Sequence, residues 1–272
     1  MKVVDLMENY IESYLAKDNL SEYENSYPEL FEHYFTYWGD RDSFKGALTE
    51  TETRERVVLI KKHLAVIEQK LNNFGFNVAL LEVILFVGQG WTNGHAFKHD
   101  STFKVFLPVE AYQSDTQVLT FVPHEIIHAL HYQKQPDFYF KNKEEKERFS
   151  RLLITEGLAT LLTKKIMGLS EKEALWADYL DSEDLEWWMR ECEKWGDGLY
   201  KFAISNFKKS SDSLMFYTAD KNDIFKYRAG YYIGMKILEK MIDNKGVRDI
   251  DLLTTPREKL EGLVLNVLRQ SA

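Results

Sequence analysis

The chain has 272 residues, 44% of them hydrophobic and 14% aromatic, enough to bury a substantial core as one large domain or two lobes. Its net charge of −8 argues against a nucleic-acid or anionic-membrane surface, since both favour basic patches. A single cysteine, Cys192, excludes an internal disulfide.

Met1 to Ala16 and Thr51 to Asn72 carry apolar residues at helical spacing, and Gly75 closes the second of these helices. The aromatic-rich stretch between them, Tyr23 to Trp38, reads as core packing. Met1 to Asp5 has no uninterrupted apolar region of signal-peptide type. The longest apolar tract, Val78 to Val87, is broken by Glu82 and too short to span a bilayer, so the expectation is a soluble cytoplasmic protein. Leu81 to Val87 is apolar and β-branched, and Thr102 to Leu107 alternates with period two, so both are expected as strands. Between them lie Trp91 to Phe97 and a turn over Lys98 to Ser101.

A helix starts between Asp115 and Val122. Pro123 either opens its first turn or kinks it, because proline lacks the amide that an interior helical position needs. A second helix runs roughly from Phe149 to Met167 and stops at Gly168; Ser170-Glu171-Lys172-Glu173 is a capping box for the next. Asp181 to Phe207 and Asp223 to Ile242 read as long helices, and Thr255-Pro256-Arg257-Glu258 caps the last. The fold class is then α+β, mainly helical, with a small sheet and a helical C-terminal part. With no clear linker, the division is a helical segment over 1–75 packed on a domain over 76–272.

The residues that carry chemistry are His124-Glu125-Ile126-Ile127-His128. In a helix, residues four apart share a face, so both imidazoles can reach one ion. Glu125, about 100° around, can reach a water on that ion without being a ligand. This is the zinc-peptidase signature H-E-x-x-H. With seven histidines in the chain, composition alone yields such a pentapeptide about 0.02 times, so chance is a poor explanation. The metzincin pattern is excluded, because His131 and Lys134 stand where it requires Gly and His. A Glu from the next helix is the other common third ligand. Glu156 is the acid among Leu152, Leu153, Leu158, Leu161 and Leu162, where a carboxylate is costly to bury without a partner such as a metal.

His124-Glu125-x-x-His128 followed by Glu156-Gly157-Leu158-Ala159 resembles the gluzincin metallopeptidases, the thermolysin-like superfamily, whose zinc ligands are two His and a downstream Glu. The separation, 156 − 128 = 28 positions, is longer than usual there; the surplus falls in Gln133 to Glu147, a charged stretch that reads as a solvated excursion. With Ala229-Gly230-Tyr231-Tyr232-Ile233-Gly234, the segment from about Val83 to Met241 is similar to a bacterial family of unknown function described as predicted Zn-dependent proteases.

The resemblance implies a zinc metallopeptidase holding one Zn²⁺ per chain through His124, His128 and Glu156, with Glu125 as general base. It implies an edge strand over Gly94, His95, Ala96 and Phe97 that pairs with a peptide or protein substrate. Aminopeptidases of the superfamily carry an acid on that strand; none is present, which favours an endopeptidase or oligopeptidase. An oxyanion stabiliser is expected from the C-terminal helices, Tyr231 first and Arg228 second, with Tyr227 and Tyr231 on one face. Gly230 and Gly234 would let that helix approach the zinc helix. His131 is expected in a supporting or surface role, and His95 and His99 lie near the supposed cleft. Cys192, among Glu191, Glu193 and Asp197, is expected to be a poor nucleophile. Two rivals stand: a zinc hydrolase of a non-peptide bond, and a regulatory or binding protein on a peptidase fold. A purely structural metal site has no need of Glu125, which speaks against the second.

Overall fold

The computed structural model of the chain describes residues 1–210 and 213–272, apart from the side chains of residues 244 and 245. Its contacts divide into two compact units, residues 1–129 and 130–272. The fold is mainly helical α+β, as expected.

The first unit is built on a four-stranded sheet of order β1-β2-β4-β3: Lys2–Asp5, Glu82–Phe86, Thr102–Pro108 and His95–His99. β1, β2 and β4 run parallel, and β3 pairs antiparallel with β4. β2 is an apolar run buried from Val83 onward, and β4 alternates at its start, with Thr102 exposed and Lys104 half-buried, before a buried run from Val105 to Pro108. β1 corrects the sequence reading. The apolar spacing of Met1 to Ala16 suggested one helix, but Lys2–Asp5 is a strand and only Met7 onward coils, ending in a π-helical turn at Tyr10–Leu15. Four residues are too few for alternation to compete with helical periodicity.

Helix α1, Pro28–Tyr37, opens on a proline at its first position. It brings Phe31 and Tyr34 edge-on to Phe86, with ring centroids 5.9 and 5.1 Å apart. The aromatics expected in the core are there. Helix α2, Glu50–Asn73, starts at the reciprocal Thr49–Glu52 capping box and buries Val57, Ile60, Leu64, Ile67 and Leu71 on one stripe. Helix α3, Asp115–Lys134, runs through Pro123, which settles the choice left open: the proline is interior. It leaves the Leu119 carbonyl without its usual amide partner one turn before His124.

In the second unit, helix α4, Phe149–Met167, is buried on nearly all sides and ends at Gly168 in the left-handed region. Helix α5, Glu171–Trp176, has the expected Ser170–Glu173 capping box. The long helix expected over 181–207 is two helices, α6 at Ser182–Lys194 and α7 at Gly196–Asn206. Gly196 and Gly198 lower the propensity where the chain breaks. The helix expected from Asp223 is a short turn, Ile224–Lys226, followed by α8, Ala229–Lys245. Arg228, at a φ of 53°, separates them, so Tyr227 and Tyr231 do not share a helical face. Helix α9, Arg257–Ser271, has Pro256 at its N-cap but no capping side chain. The Thr255 hydroxyl turns back to the Asp251 carbonyl instead, at 2.7 Å.

The stretch over 133–147 is less solvated than its charge suggested. It contains a turn at Pro136–Phe138 and buries Phe138 and Phe140. None of the described helices is long and apolar enough to cross a membrane.

Candidate metal centre

α3 places His124, Glu125 and His128 in the interior; all three are buried. The His124 and His128 rings meet edge to face, and their Nε2 atoms are 3.1 Å apart. Two nitrogens on a tetrahedral zinc, each about 2.05 Å from the ion, stand about 3.3 Å apart, so this separation suits a shared cation. Between residues 149 and 163 of α4 every position is buried except Glu156, which is half-buried. One ligand atom each from His124, His128 and Glu156 lies within 4.8 Å of the others. Two imidazoles and one carboxylate form the donor set of a catalytic zinc site with an open position. The three residues fit the ion.

α4 is held where it is by α8. A Cβ on Gly157 would come within 2.4 Å of the Gly234 backbone, and one on Gly234 within 2.4 Å of the Leu153 carbonyl oxygen. Only glycine permits this crossing, next to Glu156. Gly234 therefore packs on α4. Gly230 lies against the Phe216 ring.

Gly94, at a φ of 150°, abuts Glu125: a Cβ there would lie 2.8 Å from the Glu125 Cγ. It precedes β3, which starts at His95 and stands at the end of the sheet order. His95, Ala96 and Phe97 are buried. The His95 ring stacks parallel to His33 at 5.9 Å and lies 5.0 Å from Trp38. His99 is turned toward Glu29, at 3.1 Å. His131 is buried against Phe138, with ring centroids 4.5 Å apart, and is not a surface residue.

Arg228 and Tyr231 meet. The guanidinium lies 4.3 Å from the Tyr231 ring centroid and 4.8 Å from that of Trp176, and it donates to the Leu175 carbonyl at 3.1 Å. Burial raises the Cys192 thiol pKa far above its ordinary value, and neighbouring glutamates add to the shift.

Two groups outside the motif escaped the sequence reading. The Glu110 carboxylate is buried and accepts from the Gly88 and Gly90 amides, each at 3.0 Å. Burial raises its pKa despite those hydrogen bonds, which favour the charged form. The Tyr34 hydroxyl accepts from the Gln89 amide between the two glycines, at 2.9 Å, and that of Tyr23 from the preceding Val87 amide, at 2.8 Å. A lone acid in the apolar run Phe106 to Tyr112 was the available signal for Glu110. The second is Tyr217, which donates to Glu147 at 3.0 Å; its phenol pKa is raised by burial first, then by the charges of Glu147 and Glu156.

Residues 59–261 match the sequence profile of the family DUF2268, described as a predicted Zn-dependent protease. The chain belongs to this family. No curated protein and no solved structure matches it. The family description suggests a metallopeptidase with a peptide substrate, and its zinc dependence agrees with the donor set.

Proposed function

We propose that the protein is a zinc-dependent metallopeptidase that cleaves within peptides rather than removing amino-terminal residues. The observation that carries this is the convergence of His124, His128 and Glu156 within 4.8 Å, with Glu125 beside His124 in sequence. One zinc per chain, held by those three residues, would polarise the scissile carbonyl and acidify a water. Glu125 accepts the proton of the attacking water on its carboxylate and returns it to the leaving amine. Its burial beside Gly94 keeps the carboxylate from wandering. Gly94 through Phe97 receive the substrate main chain by strand addition, and that strand offers no carboxylate to a free substrate amine. Tyr231 donates to the developing oxyanion. Arg228 is the second choice for that role; its guanidinium already stacks on Tyr231 and orients the ring.

The test is metal content together with turnover on blocked peptide and ester libraries. Ala at His124, His128 or Glu156 should remove most of the zinc. Glu125→Gln should keep the zinc and lower turnover by about two or more orders of magnitude. Full zinc occupancy in Glu156→Ala would refute the ligand set, and turnover confined to esters would refute peptide hydrolysis.

A further inference from the structure

The segment between Val87 and Gly94 is fixed by side chains from the core of its own unit. Tyr23, Tyr34 and Glu110 hold the amides of residues 87 to 90. Beyond Trp91, the Thr92 hydroxyl bonds both the carbonyl and the amide of Gly94, at 2.9 and 3.2 Å, and the Tyr112 hydroxyl donates to the Asn93 carbonyl. Gly90 and Gly94 take backbone conformations that residues with a side chain rarely adopt, at φ values of 78° and 150°. A segment clamped this thoroughly nevertheless leaves Trp91 59% exposed.

Single exposed apolar side chains are ordinary, and Leu80, at 97%, needs no function. Trp91 differs in its address. Gly94 abuts Glu125, and three virtual bonds keep the Trp91 Cα within about 11 Å of the Gly94 Cα. An extended peptide advances about 3.3 Å per residue, so Trp91 reaches side chains up to about three residues from the bond facing Glu125. A rigid backbone has already lost the entropy that a mobile loop would lose on binding, and tryptophan offers the largest apolar surface with two torsions to fix. The neighbouring side chains, Thr92 and Asn93, carry no charge that would attract an acidic or basic residue.

We propose that Trp91 is a specificity-determining residue: it is a stacking platform for a large apolar, preferably aromatic, side chain of a peptide substrate, within about three residues of the scissile bond. This rests on the peptidase reading above and adds a substrate class to it.

The test is calorimetric binding to the zinc-loaded Glu125→Gln protein, which reads affinity without turnover. The probes are an acetylated, amidated hepta-alanine and seven variants with one phenylalanine at each position. The best phenylalanine peptide should bind about tenfold tighter than hepta-alanine. Adding Trp91→Ala should abolish that preference without moving the melting temperature, because the residue is exposed, and Trp91→Phe should restore most of it. Equal binding of all eight peptides, or a preference that survives Trp91→Ala, overturns the proposal and leaves the peptidase reading standing. Absence of binding by every peptide overturns both.

Discussion

Two carboxylates, Glu125 and Glu156, carry the proposed function, and the protein holds the backbone beside each in opposite ways. Next to Glu125, the segment from Val87 to Gly94 is fixed by polar side chains that each capture a main-chain group. Next to Glu156, α4 and α8 are fixed by the absence of side chains, glycine against glycine. The first device is electrostatic, tolerates irregular backbone and responds to pH. The second is steric, needs two regular helices and has nothing to titrate. Irregular backbone can turn a strand end toward a helix, whereas a glycine crossing gives a closely spaced scaffold for a single acid on an otherwise buried helix.

The strongest way to break the contrast is Gly157→Ala. The added Cβ meets backbone that cannot rotate away, so the helices must separate, at a cost of about 3 kcal/mol. The melting temperature should fall by roughly 6–12 °C, equally at pH 5 and pH 8. A drop under about 2 °C would show that the crossing has slack. Gly94→Ala is the intermediate case. Its φ of 150° is hostile to a side chain, which costs about 1–2 kcal/mol, and its Cβ displaces Glu125. Zinc content should persist while turnover falls about tenfold or more; unchanged turnover would separate Gly94 from the site.

Glu110→Gln sharpens the contrast with the smallest effect, about 1 kcal/mol, because the amide oxygen still accepts one hydrogen bond. Its pH dependence is the diagnostic. Burial raises the folded pKa of Glu110, so the folded state binds the proton more tightly than the unfolded chain. That contribution is fully present below about pH 4.3, the ordinary glutamate value, and is lost as pH rises through the folded pKa. Urea denaturation at a series of pH values should show wild-type stability falling relative to the variant as pH rises. Parallel curves would remove Glu110 as the source.

What the sequence disclosed depended on range. His124, Glu125 and His128 were legible because helical periodicity alone puts them together, and Glu156 because an acid among leucines is anomalous within its own helix. The capping box at Ser170 and the stop at Gly168 are equally local. β1 was missed because a four-residue strand is specified by its partner, 80 residues away, rather than by its own pattern. The break at Trp195 and the left-handed Arg228 turned two expected helices into shorter ones, and with Arg228 went the shared face of Tyr227 and Tyr231. Gly234 was read correctly as a packing residue, but its partner Gly157 was not foreseen, since spacing reveals a smooth face but not what lies on it. Glu110 was overlooked because its partners, Gly88 and Gly90, lie 20 or more residues upstream.

The parallel pairing of β1 with β2, from Lys2 opposite Glu82 to Asp5 opposite Leu85, also has a consequence in time. Joining strands 82 − 2 = 80 positions apart closes a long loop before any contact repays it, which places this ladder among the slow steps of folding. At about 5–20 residues per second, a ribosome takes roughly 4–16 s to make the intervening chain. Val3 and Val4 must wait that long for their strand partners while α1 and α2 can already coil. Pulse-labelled hydrogen exchange on the refolding chain should therefore find the amides of residues 3–5 protected later than those of α2.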